Sequence, residues 1–143
     1  MLDLAIVNYK ILDHTADLCI RVYGDSLENL LINAGKAMMD LITNREIVRN
    51  SKEITINIHA ETDEELLVKW LQEILYIHEV KKMVFKNFKV QLKNKKLATC
   101  KAYGEIIDKE RHELYSEIKA VTYHNLKITH TKDKFSVDII FDI

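Results

Sequence analysis

Asp13-His14-Thr15-Ala16-Asp17 packs two carboxylates, an imidazole and a hydroxyl into five residues between two apolar runs. At the other end the chain finishes Phe141-Asp142-Ile143, an acidic side chain followed at once by a terminal carboxylate. Two carboxylates about 4 Å apart repel by roughly 4 kcal/mol at an effective dielectric near 20, so a cluster of such groups needs protons or a cation. Oxygen donors alone select Ca²⁺, Mg²⁺ or Mn²⁺ over Zn²⁺. Asp17 is the better placed of the first pair, because it directly precedes the strand that opens with Leu18. Asp142 falls on the polar side of the last strand. On spacing alone, turn-capping by Asp13 and Asp17 with a solvated terminus is the simpler account.

Other chemistry is sparse. The six histidines, His14, His59, His78, His112, His124 and His130, form no H-x-x-x-H pair and have no cysteine partner at zinc spacing. His14 and His124 stand out only because polar residues surround them at strand ends. Cys19 and Cys100 sit mid-strand and read as buried thiols rather than nucleophiles. Three glycines in the whole chain cannot build a phosphate-cradling loop. Lys93-Asn94-Lys95-Lys96 reads as a solvated hairpin tip.

The elements that must position these groups follow from periodicity. Residues 4–12 and 18–23 read as strands, the second alternating Leu18, Ile20 and Val22 with Cys19, Arg21 and Tyr23. Asp25 or Ser26 caps a helix, with Glu28 placed to return a bond, and Leu27, Leu30, Leu31, Ala34, Met38 and Leu41 form its apolar face. Gly35 within it implies close packing. Ile54, Ile56 and Ile58 mark a strand, and Thr62 with Glu65 opens a second helix carrying Leu66, Leu67, Trp70, Leu71, Ile74, Leu75 and Ile77. The last third reads as strands around Phe88–Leu92, Ala98–Gly104, Glu117–Thr122, Leu126–Ile128 and Phe135–Phe141. Residues 1–143 thus form one α+β domain, mostly antiparallel sheet with two main helices packed on one side.

Composition sets limits. With 48% hydrophobic and 30% charged residues the chain is globular. Its net charge of −1 argues against strong direct nucleic-acid binding. No apolar run is long enough for a bilayer, the N-terminus has no signal-peptide pattern, and the two separated cysteines suit a reducing, cytoplasmic setting.

Six ordered blocks carry a resemblance. Asp13–Asp17, Tyr23-Gly24-Asp25-Ser26-Leu27-Glu28, the helix Leu66–Glu79, Lys101–Glu105, Lys119–His124 and Phe141-Asp142-Ile143 together resemble the archease family over essentially the whole length. The resemblance implies a non-enzymatic activator of the RtcB-type RNA ligase of tRNA splicing. Such proteins promote guanylylation of the ligase, support its multiple turnover and broaden its nucleotide use. It also implies a metal site, described as binding calcium, on Asp17, Asp142 and Ile143, with Asp13 and His14 in support; Mg²⁺ or Mn²⁺ would fit the same donors. Two other readings stay on the page: a chaperone-like modulator of a tRNA cytosine methyltransferase, and a metal-dependent phosphoesterase using Asp17 with His14 or His124. The phosphoesterase reading lacks the second set of metal ligands such sites use.

Overall fold

Alternation of buried and exposed side chains resolves into two antiparallel sheets with two helices against them. A computed structural model describes residues 8–12 and 17–143. The first sheet joins β1 (Tyr9–Leu12), β2 (Leu18–Gly24), β8 (Lys134–Asp142) and β6 (Ala120–Val121) in that spatial order, with β7 (Thr129–Thr131) also paired to β8. The second is β3 (Lys52–His59), β5 (Leu97–Ile106) and β4 (Met83–Asn94). Helices α1 (Leu27–Ile42) and α2 (Asp63–Lys81) follow β2 and β3.

Early and late segments meet in the first sheet because β2 and β8 carry matching apolar stripes. Ile20 faces Ile139 and Val22 faces Val137 in the register, and all four are buried toward the helices. The other face of the same pair carries Arg21 opposite Asp138 and Tyr23 opposite Ser136. A one-residue slip would exchange the two sets, so burial pins this register.

Helix α1 is covered on most sides, since it packs on β2 in one sheet, on β4 in the other, and on α2. Leu30, Leu31, Ala34, Ala37, Met38, Met39 and Ile42 are all fully or almost fully buried. Gly35 permits the approach of β4: a Cβ there would stand 3.1 Å from two ring carbons of Phe88. Trp70 of α2 anchors the helix pair by donating Nε1–H to Leu31 O at 2.8 Å. Its ring also meets Phe88 edge-on at 5.5 Å.

The caps differ in detail from expectation. Ser26 caps α1 and accepts from Asn29 N, but Asn29 rather than Glu28 answers by accepting from Asp25 N. Position 29, not 28, stands three residues after the cap, and its side chain reaches back past Ser26 to the N–H of Asp25. Thr62 caps α2 as expected, accepting from Glu65 N. Strand β4 begins at Met83, well before the alternation at Phe88, because Met83, Val84 and Phe85 are buried in succession. Only Ala120 and Val121 of the expected 117–122 strand enter a ladder. The first strand is described only from Tyr9, and residues 1–7 and 13–16 lie outside the described residues.

Candidate metal centre

The β2–β8 ladder delivers the two acids to one place. Its last pair is Leu18 opposite Phe141, so one further step sets Asp17 across from Asp142. Directly opposed residues of an antiparallel pair project to the same side. Phe141 is fully buried toward the core, and the neighbouring acids therefore take the other face. Asp142 is held from the β6 side, where it stands opposite Ala120 and its carbonyl accepts from Lys119 N at 2.7 Å. Ile143 follows with its side chain half exposed. Asp17 is half-buried and Asp142 exposed.

Among the described residues, neither carboxylate makes a side-chain hydrogen bond or ion pair, whereas Asp40, Asp138 and Glu105 are each matched to an arginine. That contrast is the test of fit for a cation: two opposed anions with no basic partner, offering only oxygen. The described residues contain no cluster of three or more His, Cys, Asp or Glu side chains suited to a metal. A centre here therefore needs donors beyond the two side chains. Asp13 and His14 lie outside the described residues. His124 does not join the acids; its N–H donates to Thr122 Oγ1, and its ring faces Asn125.

The same outer face runs from the acids toward a polar groove. Next to Asp17 and Asp142 come Cys19 and Ile140, both buried. Burial pushes the Cys19 thiol up, Asp138 adds to the effect, and Arg21 opposes it. Arg21 then clasps Asp138 through two bonds of 2.6 and 2.9 Å, and this pairing raises the guanidinium further. Beyond it lies a groove of about 330 Å³ lined by Arg21, Tyr23, Asn125, Lys127, Thr129 and Ser136 among others.

One cluster was hidden in the sequence. Glu105 is buried and accepts from Arg49 N at 2.7 Å, from His112 Nε2 at 3.0 Å, and from the Arg111 guanidinium. Asp108 N donates to His112 Nδ1 at 2.9 Å, so the ring proton must reside on Nε2 and point at Glu105. Burial alone would raise the Glu105 carboxyl, but Arg111, the Arg49 N–H and His112 outweigh it and hold it at about 2. The cluster clamps the connection after β5 and lies away from the acid pair in sequence and sheet. Arg111 and His112 sit in the charged stretch Asp108–Glu113, which carries no motif, and the one sequence signal was an acid at 105 beside the small residues Ala98, Cys100, Ala102 and Gly104.

Comparison with known proteins bears on the whole arrangement. The model of the archease protein family (MTH1598/TM1083) matches residues 9–143. The chain belongs to the archease family. It is 39% identical to the protein archease of Pyrococcus furiosus, over 92% of this chain and 95% of that one. The archease of Methanopyrus kandleri is 38% identical, with coverage of 92% and 96%. The solution structure of protein 1598 of Methanobacterium thermoautotrophicum superposes with a TM-score of 0.80 at 31% identity, covering 96% of this chain and all of that one. The α+β fold with two helices on antiparallel sheet is thus the family's fold. No helix among the described residues is long and apolar enough to cross a membrane.

Proposed function

We propose that this archease activates an RtcB-type RNA ligase by presenting the Asp17–Asp142 end of β2 and β8 to it with a divalent cation bound. The observation that carries the reading is the register: the ladder ends with Leu18 opposite Phe141, and the next residue on each chain segment is an aspartate that has no basic partner among the described residues. Asp17 and Asp142 supply the charged oxygens, and Ile143 adds a main-chain oxygen one residue further on. Asp13 and His14, close before Asp17 in the sequence, are the candidates to support the site. When bound, a hard cation such as Ca²⁺, with Mg²⁺ or Mn²⁺ as alternatives, offsets phosphoryl charge of the kind that develops when a ligase is guanylylated. The chain's own contribution is rigidity. The β6 ladder holds Asp142 at the end of β8, and Asp17 directly precedes β2, so both acids sit beside paired strand.

No group in the chain is asked to do chemistry in this reading; the ligase supplies the nucleophile and the nucleotide. The deciding experiment is single-turnover guanylylation of the ligase with wild-type protein, Asp17→Ala and Asp142→Ala, in Ca²⁺, Mg²⁺, Mn²⁺ and chelator. Both variants should fold and lose most of the stimulation. Full stimulation by either folded variant would remove the acid pair from the mechanism.

A further inference from the structure

The β3–β5–β4 sheet has two edges, and the fold treats them differently. The β4 edge is blunted. Its register with β5 is interrupted between Phe85 and Asn87 and again between Leu92 and Asn94. The short 3-10 turn Arg45–Ile47 lies along it: Arg45 donates to Lys86 O at 2.8 Å, and Lys86 Nζ donates to Glu46 O at 3.0 Å. Bulges, lysines and covering segments are the usual means of stopping an edge from recruiting another strand. The β3 edge has neither a bulge nor a covering segment among the described residues, and lysines meet it only at its two ends, Lys52 in the strand and Lys69 Nζ on His59 O. Its eight residues keep an unbroken register with β5, and no described strand pairs with its other side.

Parity shows which main-chain groups stand open. Ala60 N donates to Lys96 O at 2.9 Å, so Ile58, Ile56 and Ile54 are the residues whose N–H and C=O face β5. The main-chain groups of Glu53, Thr55, Asn57 and His59 therefore point away from the sheet, and all four residues are exposed. Only the last of the carbonyls meets a described donor, Lys69 Nζ at 2.8 Å. Beside this edge runs a groove of about 470 Å³ against α2, lined by Asn57, His59, Lys69, Gln72, Glu73 and Tyr76 among others. Tyr76 is 58% exposed there.

We propose that β3 is a homodimerisation edge, on which a second copy of this chain lays its own β3 antiparallel to join two three-stranded sheets into one of six. The occupant follows from self-complementarity. With the two-fold axis at Ile56, the four outward residues meet as two pairs, each occurring twice. Glu53 faces His59 of the second copy, and Thr55 faces Asn57 of the second copy. Carboxylate against imidazole and hydroxyl against amide are both favourable cross-strand pairs. Main-chain donors and acceptors alternate in step along the same line. On the inner face the added strand turns its isoleucines toward α2, where the exposed Tyr76 can cover them. The strand's own composition suits the role, since Ile, Thr and Asn alternate without proline or bulge.

The test is sedimentation velocity from low micromolar to several hundred micromolar, together with amide exchange. The wild-type chain should dimerise over this range. The N–H groups of Thr55 and Asn57 should gain exchange protection only at high concentration, while those of Ile54, Ile56 and Ile58 are protected throughout. Thr55→Pro removes an outward N–H but no bond to β5, so the monomer should survive and the dimer should not. His59→Glu sets two glutamates face to face at both ends and should weaken association about tenfold. Adding Glu53→Lys to it should restore association. A chain monomeric at every concentration would overturn the proposal. So would dimers indifferent to both single substitutions, or an edge protected only when a strand of another protein is supplied.

Discussion

Glu105→Gln isolates the one buried charge that holds the 107–114 connection to the sheet. In the folded protein the carboxyl is held at about 2, against an ordinary value of 4.5. A difference of that size corresponds to about 3 kcal/mol of preference for the ionised form in the folded state. The sign is fixed by its direction. A carboxyl depressed on folding stabilises fully above its unfolded value, and that stability drains away as pH falls from about 5 toward about 2. Glutamine keeps one acceptor oxygen but turns an NH₂ toward Arg111, Arg49 N or His112 Nε2, all of which donate. It also leaves the Arg111 charge uncompensated. A loss of about 2–3 kcal/mol at neutral pH is expected, at or just under the low end of the range for breaking a buried ion pair from one side, since glutamine keeps one acceptor.

At roughly 2.1 cal/mol/K of unfolding entropy per residue, this chain should melt about 7–10 °C lower in the variant. Calorimetry at pH 7, 5, 4 and 3 is the assay. Wild-type and variant melting temperatures should differ most at pH 7 and converge toward pH 3, because acid removes from the wild type what the substitution removed already. A gap that stays constant with pH would refute the argument, since the loss would then be steric rather than electrostatic. Equal melting at pH 7 would show that solvent replaces the cluster at no cost.

Further outcomes follow from other sites. Asp142→Asn should leave metal-free stability unchanged or raise it by up to about 1 kcal/mol, by removing an opposed like charge, while abolishing the rise in melting temperature that the proposed site predicts for the wild type in Ca²⁺; melts with and without chelator measure both. Gly104→Ala places a Cβ 2.0 Å from Val84 O, where backbone must move, and should cost about 3 kcal/mol or more in chemical denaturation. Trp70→Phe removes the bond from Nε1 to Leu31 O, an oxygen that keeps its acceptance from within α1, and should cost about 0.5–1.5 kcal/mol beyond any change in packing. Burial pushes the Cys100 thiol up to about 12 and raises Cys19 as well, so neither should react with a disulfide reagent at pH 8 until denaturant is added.

Local period made the frame legible. Leu18–Val22, Ile54–Ile58 and Phe135–Phe141 alternate cleanly and became β2, β3 and β8. The two helices were marked by Ser26 and Thr62 at their caps and by broad apolar faces. Where pairing is decided at long range, the same reasoning stopped short. Residues 117–122 alternate well enough for a strand, yet only Ala120 and Val121 find room beside the end of β8. The early start of β4 depends on Gly104 letting Val84 O pass, a contact between strands that no window of one strand contains. Glu105, Arg111 and His112 converge through the turn at Asp108.

The acid pair shows the limit most clearly. Asp17 and Asp142 lie at opposite ends of the chain, and only the choice of β8 as the neighbour of β2 makes them a pair. That choice rests on apolar residues: Ile20 with Ile139 and Val22 with Val137 must share a face, and one residue of slip would bury Arg21 and Asp138 instead. The Arg21–Asp138 clasp on the outer face reinforces the same register. Burial thus decides where two carboxylates meet several residues further along the ladder. A substitution at Ile139 or Val137 that loosens the register should therefore weaken cation binding without touching a ligand, and Ile139→Ala should lose more cation affinity than Ser136→Ala, whose side chain is only half-buried on the outer face of the same strand.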